Sequence, residues 1–141
     1  MEQKNKKFKI KNIFVKILMK KGKKSISEKI FKNILINLKN KTKQKPNFIL
    51  KKAILNLSPK LKLINILFGK RKKYFLIYLN EEQQMKISIN WLLFFSKTKS
   101  KNFLNNIINE IYETFNNKSK SIEKKKNLYK DIKKLKYNII F

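Results

Sequence analysis

The chain has no cysteine and no histidine. Those absences exclude thiol nucleophiles, disulfides and ordinary Cys/His zinc sites. Acids are scarce too, eight in all: Glu2, Glu28, Glu81, Glu82, Glu110, Glu113, Glu123 and Asp131. Glu81 and Glu82 are adjacent and so point to different sides of a helix, a poor catalytic dyad. Glu110 and Glu113 could share a face, but on an otherwise ordinary amphipathic segment. Without histidine or cysteine, a general base at neutral pH would need a strongly shifted carboxylate or lysine. No GxGxxG and no P-loop occur, and Gly22-Lys23 lacks the upstream glycine of a Walker motif. The sequence points away from an enzyme and calls for no cofactor or metal.

Long apolar runs are missing as well. The longest uncharged run in the back half, Ile87 to Ser96, is about half a membrane span. No secretory signal is read. The lysine-rich start has the charge of a transit peptide, but it is arginine-free and runs unbroken into the first helix. Glycine and proline occur twice each, and Ala53, Val15, Trp91 and Arg71 are each the single residue of their type. In their place stand 36 lysines, 21 isoleucines and 18 asparagines. Lys, Ile and Asn are read from A- and T-rich codons, so the bias points to an AT-rich genome: an organelle, or a parasitic or symbiotic bacterium.

What is present is charge. With 37 basic and 8 acidic residues, the net charge is +29 over 141 residues and the pI is near 10.3. That length suits one domain, 1–141, with a single core. Self-repulsion on this scale destabilises a compact body unless a polyanion neutralises it. Disorder is the alternative for so basic a chain. A composition that is 42% hydrophobic and 12% aromatic, arranged in helical periods, favours a folded polyanion binder.

Residues 1–9 read as a basic arm. A first helix follows, with Ile10, Phe14, Ile17 and Leu18 on one face. It stops at Gly22, whose free φ suits a helix end. Ser25 and Glu28 read as a capping box opening a second helix to about Leu38, with Ile26, Ile30, Ile34 and Leu38 inward, flanked by Phe31 and Leu35. The corner holds Lys20, Lys21, Lys23 and Lys24 beside helix-start N–H groups. It suits a phosphate, and equally reads as a solvated basic loop.

Lys39 to Lys45 reads as a polar linker. Pro46 opens a third helix, with Leu50, Ala53, Ile54 and Leu57 inward, and Pro59 stops it. The period then changes, and residues 60–79 read as a β-hairpin around Gly69 with a basic tip. One hairpin face should lie on the helices, since the strands are too apolar for an isolated ribbon. The tip is either a solvated turn or a finger reaching nucleic acid. A fourth helix starts near Asn80, with Met85, Ile89, Leu92 and Leu93 inward; Trp91 and Phe95 are core or a base-stacking platform, core being favoured. A basic loop, Lys97 to Lys101, precedes a fifth helix carrying Leu104, Ile107, Ile108, Ile111 and Phe115. A sixth begins near Ser121 and turns Leu128, Ile132 and Leu135 inward under a dense lysine face. The fold class is mainly α: a single bundle of about six helices with a β-hairpin inserted between the third and fourth.

Lysine contacts phosphate as a point charge, giving affinity and salt sensitivity rather than base readout. No helix carries the arginines and asparagines of a major-groove reader. A folded body with a projecting basic finger fits structured RNA. A histone-like or nucleoid DNA-binding protein is the alternative, and a lysine-rich membrane-surface protein a third reading.

The order of elements resembles the small-subunit ribosomal protein seven family of bacterial and organellar type. The corner from Phe14 to Ser25 carries that likeness most distinctly. Pro59 before the hairpin, Gly69 at its tip, Trp91, Asn109-Glu110-Ile111, Asn117-Lys118 and Lys124-Lys125 extend it over most of the chain. The resemblance implies a protein that binds the 3′ major (head) domain of small-subunit rRNA and starts assembly of the head beside neighbouring ribosomal proteins. It also implies a hairpin reaching toward exit-site tRNA and the mRNA path. Carried over by position, the RNA-facing residues are Lys4, Lys6, Lys7, Lys20, Gly22, Lys23, Lys24, Ser25, Lys70, Arg71, Lys72, Lys73, Gln83, Gln84, Asn90, Lys97, Lys99, Lys101, Lys124 and Lys125. Departures occur where that family usually has arginine: Gln83-Gln84 opening the fourth helix, Asn90 before the tryptophan, and Ile66-Leu67 in the hairpin. Ile66 and Leu67, if turned outward, imply a protein contact. Codon bias with no cleavable leader read at the start favours a mitochondrial ribosome, then a plastid or an AT-rich bacterium.

Overall fold

The computed structural model describes residues 2–19, 21–98 and 102–134, with the backbone alone for 2–9. The elements are α1 (Glu2–Leu18), α2 (Lys24–Thr42), α3 (Pro46–Leu57), β1 (Leu61–Phe68), β2 (Arg71–Tyr78), α4 (Glu81–Thr98), α5 (Phe103–Phe115) and α6 (Lys120–Lys134). Among the described residues, six helices with one hairpin between the third and fourth match the expected architecture. One apolar cluster draws on every helix, from Ile10 and Phe14 of α1 through Ile34, Leu38, Ile49, Ile54, Ile89, Leu92, Ile107 and Ile111 to Ile122 of α6. Helix α5 packs against α2, α3 and α4, while α6 closes over α3 and α4.

Several boundaries differ from the expectation. Residues 2–9 continue α1 rather than forming an arm ahead of it. No glycine or proline lies there, and Lys, Glu and Gln are good helix formers. Helix α2 starts at Lys24, its N-cap is Lys23, and no side chain caps it, so Ser25 and Glu28 form no capping box. The box sits instead at α4: the Asn80 carboxamide oxygen accepts from the Gln83 amide at 2.8 Å, and Gln83 Oε1 accepts from the Asn80 amide at 3.3 Å. The supposed linker from Lys39 is helical to Thr42, where Lys43 turns left-handed and donates its N–H to the Lys39 carbonyl at 2.8 Å. The inward stripe of α2 is Ser27, Phe31, Ile34 and Leu38, whereas Ile26 is 50% exposed. A four-residue step advances 40° beyond a full turn, so a line of such steps rotates off the core within three turns.

The hydroxyl side chains tie the interior together. Ser121 Oγ of α6 donates to the buried Glu110 carboxylate of α5 at 2.7 Å, and Thr114 Oγ1 donates to Ser119 Oγ at 2.9 Å. At the end of α5, Asn117 takes φ +60°, and the amides of Asn117 and Lys118 reach the carbonyls of Thr114 and Glu113 at 3.0 and 2.9 Å. That double bond is a Schellman stop, with asparagine where glycine usually stands. Among the described residues, no buried side-chain nitrogen or oxygen lacks a partner.

The hairpin is built differently. Leu61 pairs with Tyr78 and Phe68 with Arg71, and Gly69 at φ +62° opens a two-residue turn with Lys70. Positive φ at the first turn position alone is the type II′ pattern, which matches strand twist. No residue of either strand is buried, so neither face lies on the helices as expected. Eight residues per strand give a ribbon roughly 26 Å long that projects from the bundle. Its root is fixed. Leu79 N–H donates to the Lys60 carbonyl at 3.0 Å, and Lys60 N–H donates to the Tyr129 hydroxyl of α6 at 3.1 Å.

Candidate nucleic-acid interface

The α1–α2 corner is shaped by two successive left-handed residues, Lys21 at φ +54° and Gly22 at φ +74°. A β-carbon built on Gly22 meets nothing within 4 Å, so glycine is needed there for its backbone and not for space. Lys21, Gly22, Lys23, Lys24 and Ser25 are all exposed. The first turn of α2 has no acid and no side-chain cap. The Lys24 N–H donates to the Gly22 carbonyl at 3.0 Å, so the amides of Ser25 and Ile26 are those this helix start can offer a phosphate oxygen, beside three exposed lysines. Lys20 lies outside the described residues.

At the hairpin tip, Lys70 is in the turn, and Arg71, Lys72 and Lys73 occupy the start of β2, all exposed. Cross-strand partners share a face, so Lys72 lies with Leu67, and Arg71 and Lys73 lie with Phe68 and Ile66. Lys73 holds its ammonium 5.2 Å from the Phe68 ring. Ile66 and Leu67 are 41% and 67% exposed, turned outward. Each face thus mixes cations with uncovered apolar side chains.

The remaining sequence-stated residues divide. Asn90, Lys97 and Lys124 are exposed. Gln83 is occupied in the α4 capping box, and Gln84 donates to the Leu79 carbonyl at 2.9 Å, so both hold the hairpin-to-helix junction. Lys125 is half-buried, with its ammonium donating to the Asn56 carbonyl at 2.9 Å at the end of α3. Burial, then repulsion from Lys60, pushes its pKa below the usual lysine value. The side chains of Lys4, Lys6 and Lys7 lie outside the description, as do Lys99 and Lys101.

Two groups escaped the sequence reading. Tyr129 anchors the hairpin root, though nothing in its neighbourhood in sequence points to Lys60, 69 residues away. Phe94 is 54% exposed beside Lys124. Its signal was legible: it falls four residues after Asn90 and three before Lys97, on the outer stripe of α4.

A packed α-helical body, a basic glycine corner and a projecting basic hairpin occur here in one order. Residues 1–133 match the family described as ribosomal protein S7p/S5e. The chain belongs to that family. Every candidate RNA-facing residue lies inside the matched stretch. The small ribosomal subunit protein uS7 of Lawsonia intracellularis is 29% identical over 118 residues, 83% of this chain and 76% of that protein. The uS7c protein of Ostreococcus tauri is 27% identical over 120 residues, 84% of this chain and 77% of that protein. The uS7m protein of Schizosaccharomyces pombe is 31% identical over 117 residues, 82% of this chain but only 45% of that longer protein. This S7p/S5e chain therefore has bacterial, plastid-type and mitochondrial-type relatives at similar distances.

Among the described residues, no cluster of three or more His, Cys, Asp or Glu could hold a metal ion. No described helix is long and apolar enough to cross a membrane.

Proposed function

We propose that this ribosomal protein is a structural component of the small subunit that binds the 3′ major domain of its rRNA and begins assembly of the head. Its partners are that rRNA and neighbouring small-subunit proteins, and the hairpin reaches toward exit-site tRNA and the mRNA path. The observation that carries the reading is charge placed on order. With 37 bases and 8 acids, most lysines can have no acidic partner in the chain, yet they surround a closed apolar core. Such a body lowers its free energy when phosphates enter between its lysines and counterions leave. The corner and the hairpin tip present those charges on a fixed backbone, as shape recognition of folded RNA requires.

The ribosome we favour is mitochondrial, from the A- and T-rich codon bias together with the uS7m relative; the plastid reading draws on the same bias and on uS7c. Sequencing the locus distinguishes them.

Binding decides the rest. In ~150 mM salt the chain should prefer a 3′ major-domain transcript over a 5′-domain transcript and over duplex DNA of equal length. Equal affinity for the duplex would favour a nucleoid protein instead.

A further inference from the structure

We propose that the outer stripe of α4 at Phe94, with Lys124 of α6, is a stacking site for one unpaired RNA base, an inference that rests on the RNA-binding reading above. Asn90, Phe94 and Lys97 follow one another at four- and three-residue steps and share an exposed face. The Phe94 and Phe95 rings form a T-shaped pair, with centroids 5.3 Å apart and planes at 82°. That contact holds the ring in place while the residue stays 54% exposed. Above it, the Lys124 ammonium sits 5.2 Å from the Phe94 centroid, 5.6 Å from Trp91 and 5.8 Å from Phe95. A lysine held over three rings is a cation placed by the fold rather than a loose surface charge.

The occupant follows from this mixture. An apolar protein surface laid on Phe94 would strip water from Lys124 and offer it no counter-charge, which is costly. A nucleotide serves both groups at once. Its base covers the exposed part of Phe94 that Lys124 leaves open, and its phosphate takes the ammonium of Lys124. The Asn90 carboxamide, one turn back, supplies a donor and an acceptor for the base edge. Stacking of this kind tolerates any base, so the site fixes a splayed nucleotide in place and does not read a long sequence.

The test uses the full chain, a 3′ major-domain transcript in ~150 mM salt, and Trp91 fluorescence, which reports on this corner because it is the single tryptophan. Phe94→Leu keeps apolar bulk and loses the aromatic face; it should weaken binding about tenfold and leave the salt slope unchanged. Phe94→Tyr should bind as the parent does. Equal affinity for F94L, F94Y and the parent overturns the stacking site while leaving the RNA-binding reading intact. F94L that binds RNA normally but is lost from assembled subunits also overturns it, assigning the face to a protein neighbour. Failure of the parent chain to bind the transcript at all sinks both.

Discussion

The bundle and the hairpin solve the same problem in opposite ways. In the bundle, apolar side chains converge on one interior, and described buried polar groups find partners within the chain. In the hairpin, Leu61, Leu63, Leu67, Leu76 and Tyr78 occupy one face, Ile64, Ile66, Phe68, Phe75 and Ile77 the other, and none of them is buried. A two-stranded ribbon is marginally stable alone in water. The body carries its own reasons for folding, whereas the ribbon is held at its root by α6 and leaves both faces uncovered.

Core and ribbon substitutions should separate most widely. Ile111→Ala, at a fully buried position, should cost about 3–4 kcal/mol in a urea titration, whereas Leu67→Ala should leave the midpoint of the free protein unchanged. Comparable losses from both would mean that the ribbon packs on the body after all. Next in size comes the seam between α5 and α6. Glu110→Ala removes the acceptor of Ser121 Oγ and opens a void, for about 2–3 kcal/mol by the same titration. At the corner, Gly22→Val forces a β-branched residue to φ +74°, costing about 1–3 kcal/mol and lowering transcript affinity by displacing Lys23 and Lys24. Unchanged affinity would remove the corner from the interface.

Tyr129→Phe should cost about 1 kcal/mol and speed hydrogen exchange at the Lys60 amide, sharpening the comparison at the point where the two regions join. The smallest effect is a pH dependence. Lys125 titrates below the ordinary lysine value in the fold, so the folded chain releases that proton first. The destabilisation from this group is present at neutral pH and is relieved as pH rises through the folded value toward the ordinary one. Lys125→Met should flatten that alkaline rise in stability.

The sequence made the bundle legible where burial and period agree. Pro46 and Pro59 bracket α3, and Ile107, Ile108 and Ile111 mark α5 without ambiguity. Gly69 centred the hairpin because a two-residue turn of this type needs a positive φ. The helix starts were not separable by pattern. Ser25-x-x-Glu28 and Asn80-x-x-Gln83 both fit a capping box, but Lys21 and Gly22 turn together and let α2 begin at Lys24, ahead of the serine. Of the candidate RNA-facing residues, the charged corner and tip were visible because lysine in a turn stays exposed. Gln83, Gln84 and Lys125 serve the junctions of the fold, a role that depends on partners distant in sequence for Lys125 and on the exact helix start for the glutamines.

The uncovered ribbon is also a liability for a free copy of the chain. A copy made in excess of its subunit keeps oily strands and open edges in view, which are the features that chaperones hold and proteases enter. Whatever covers those strands therefore also removes the surface through which free copies would pair edge to edge.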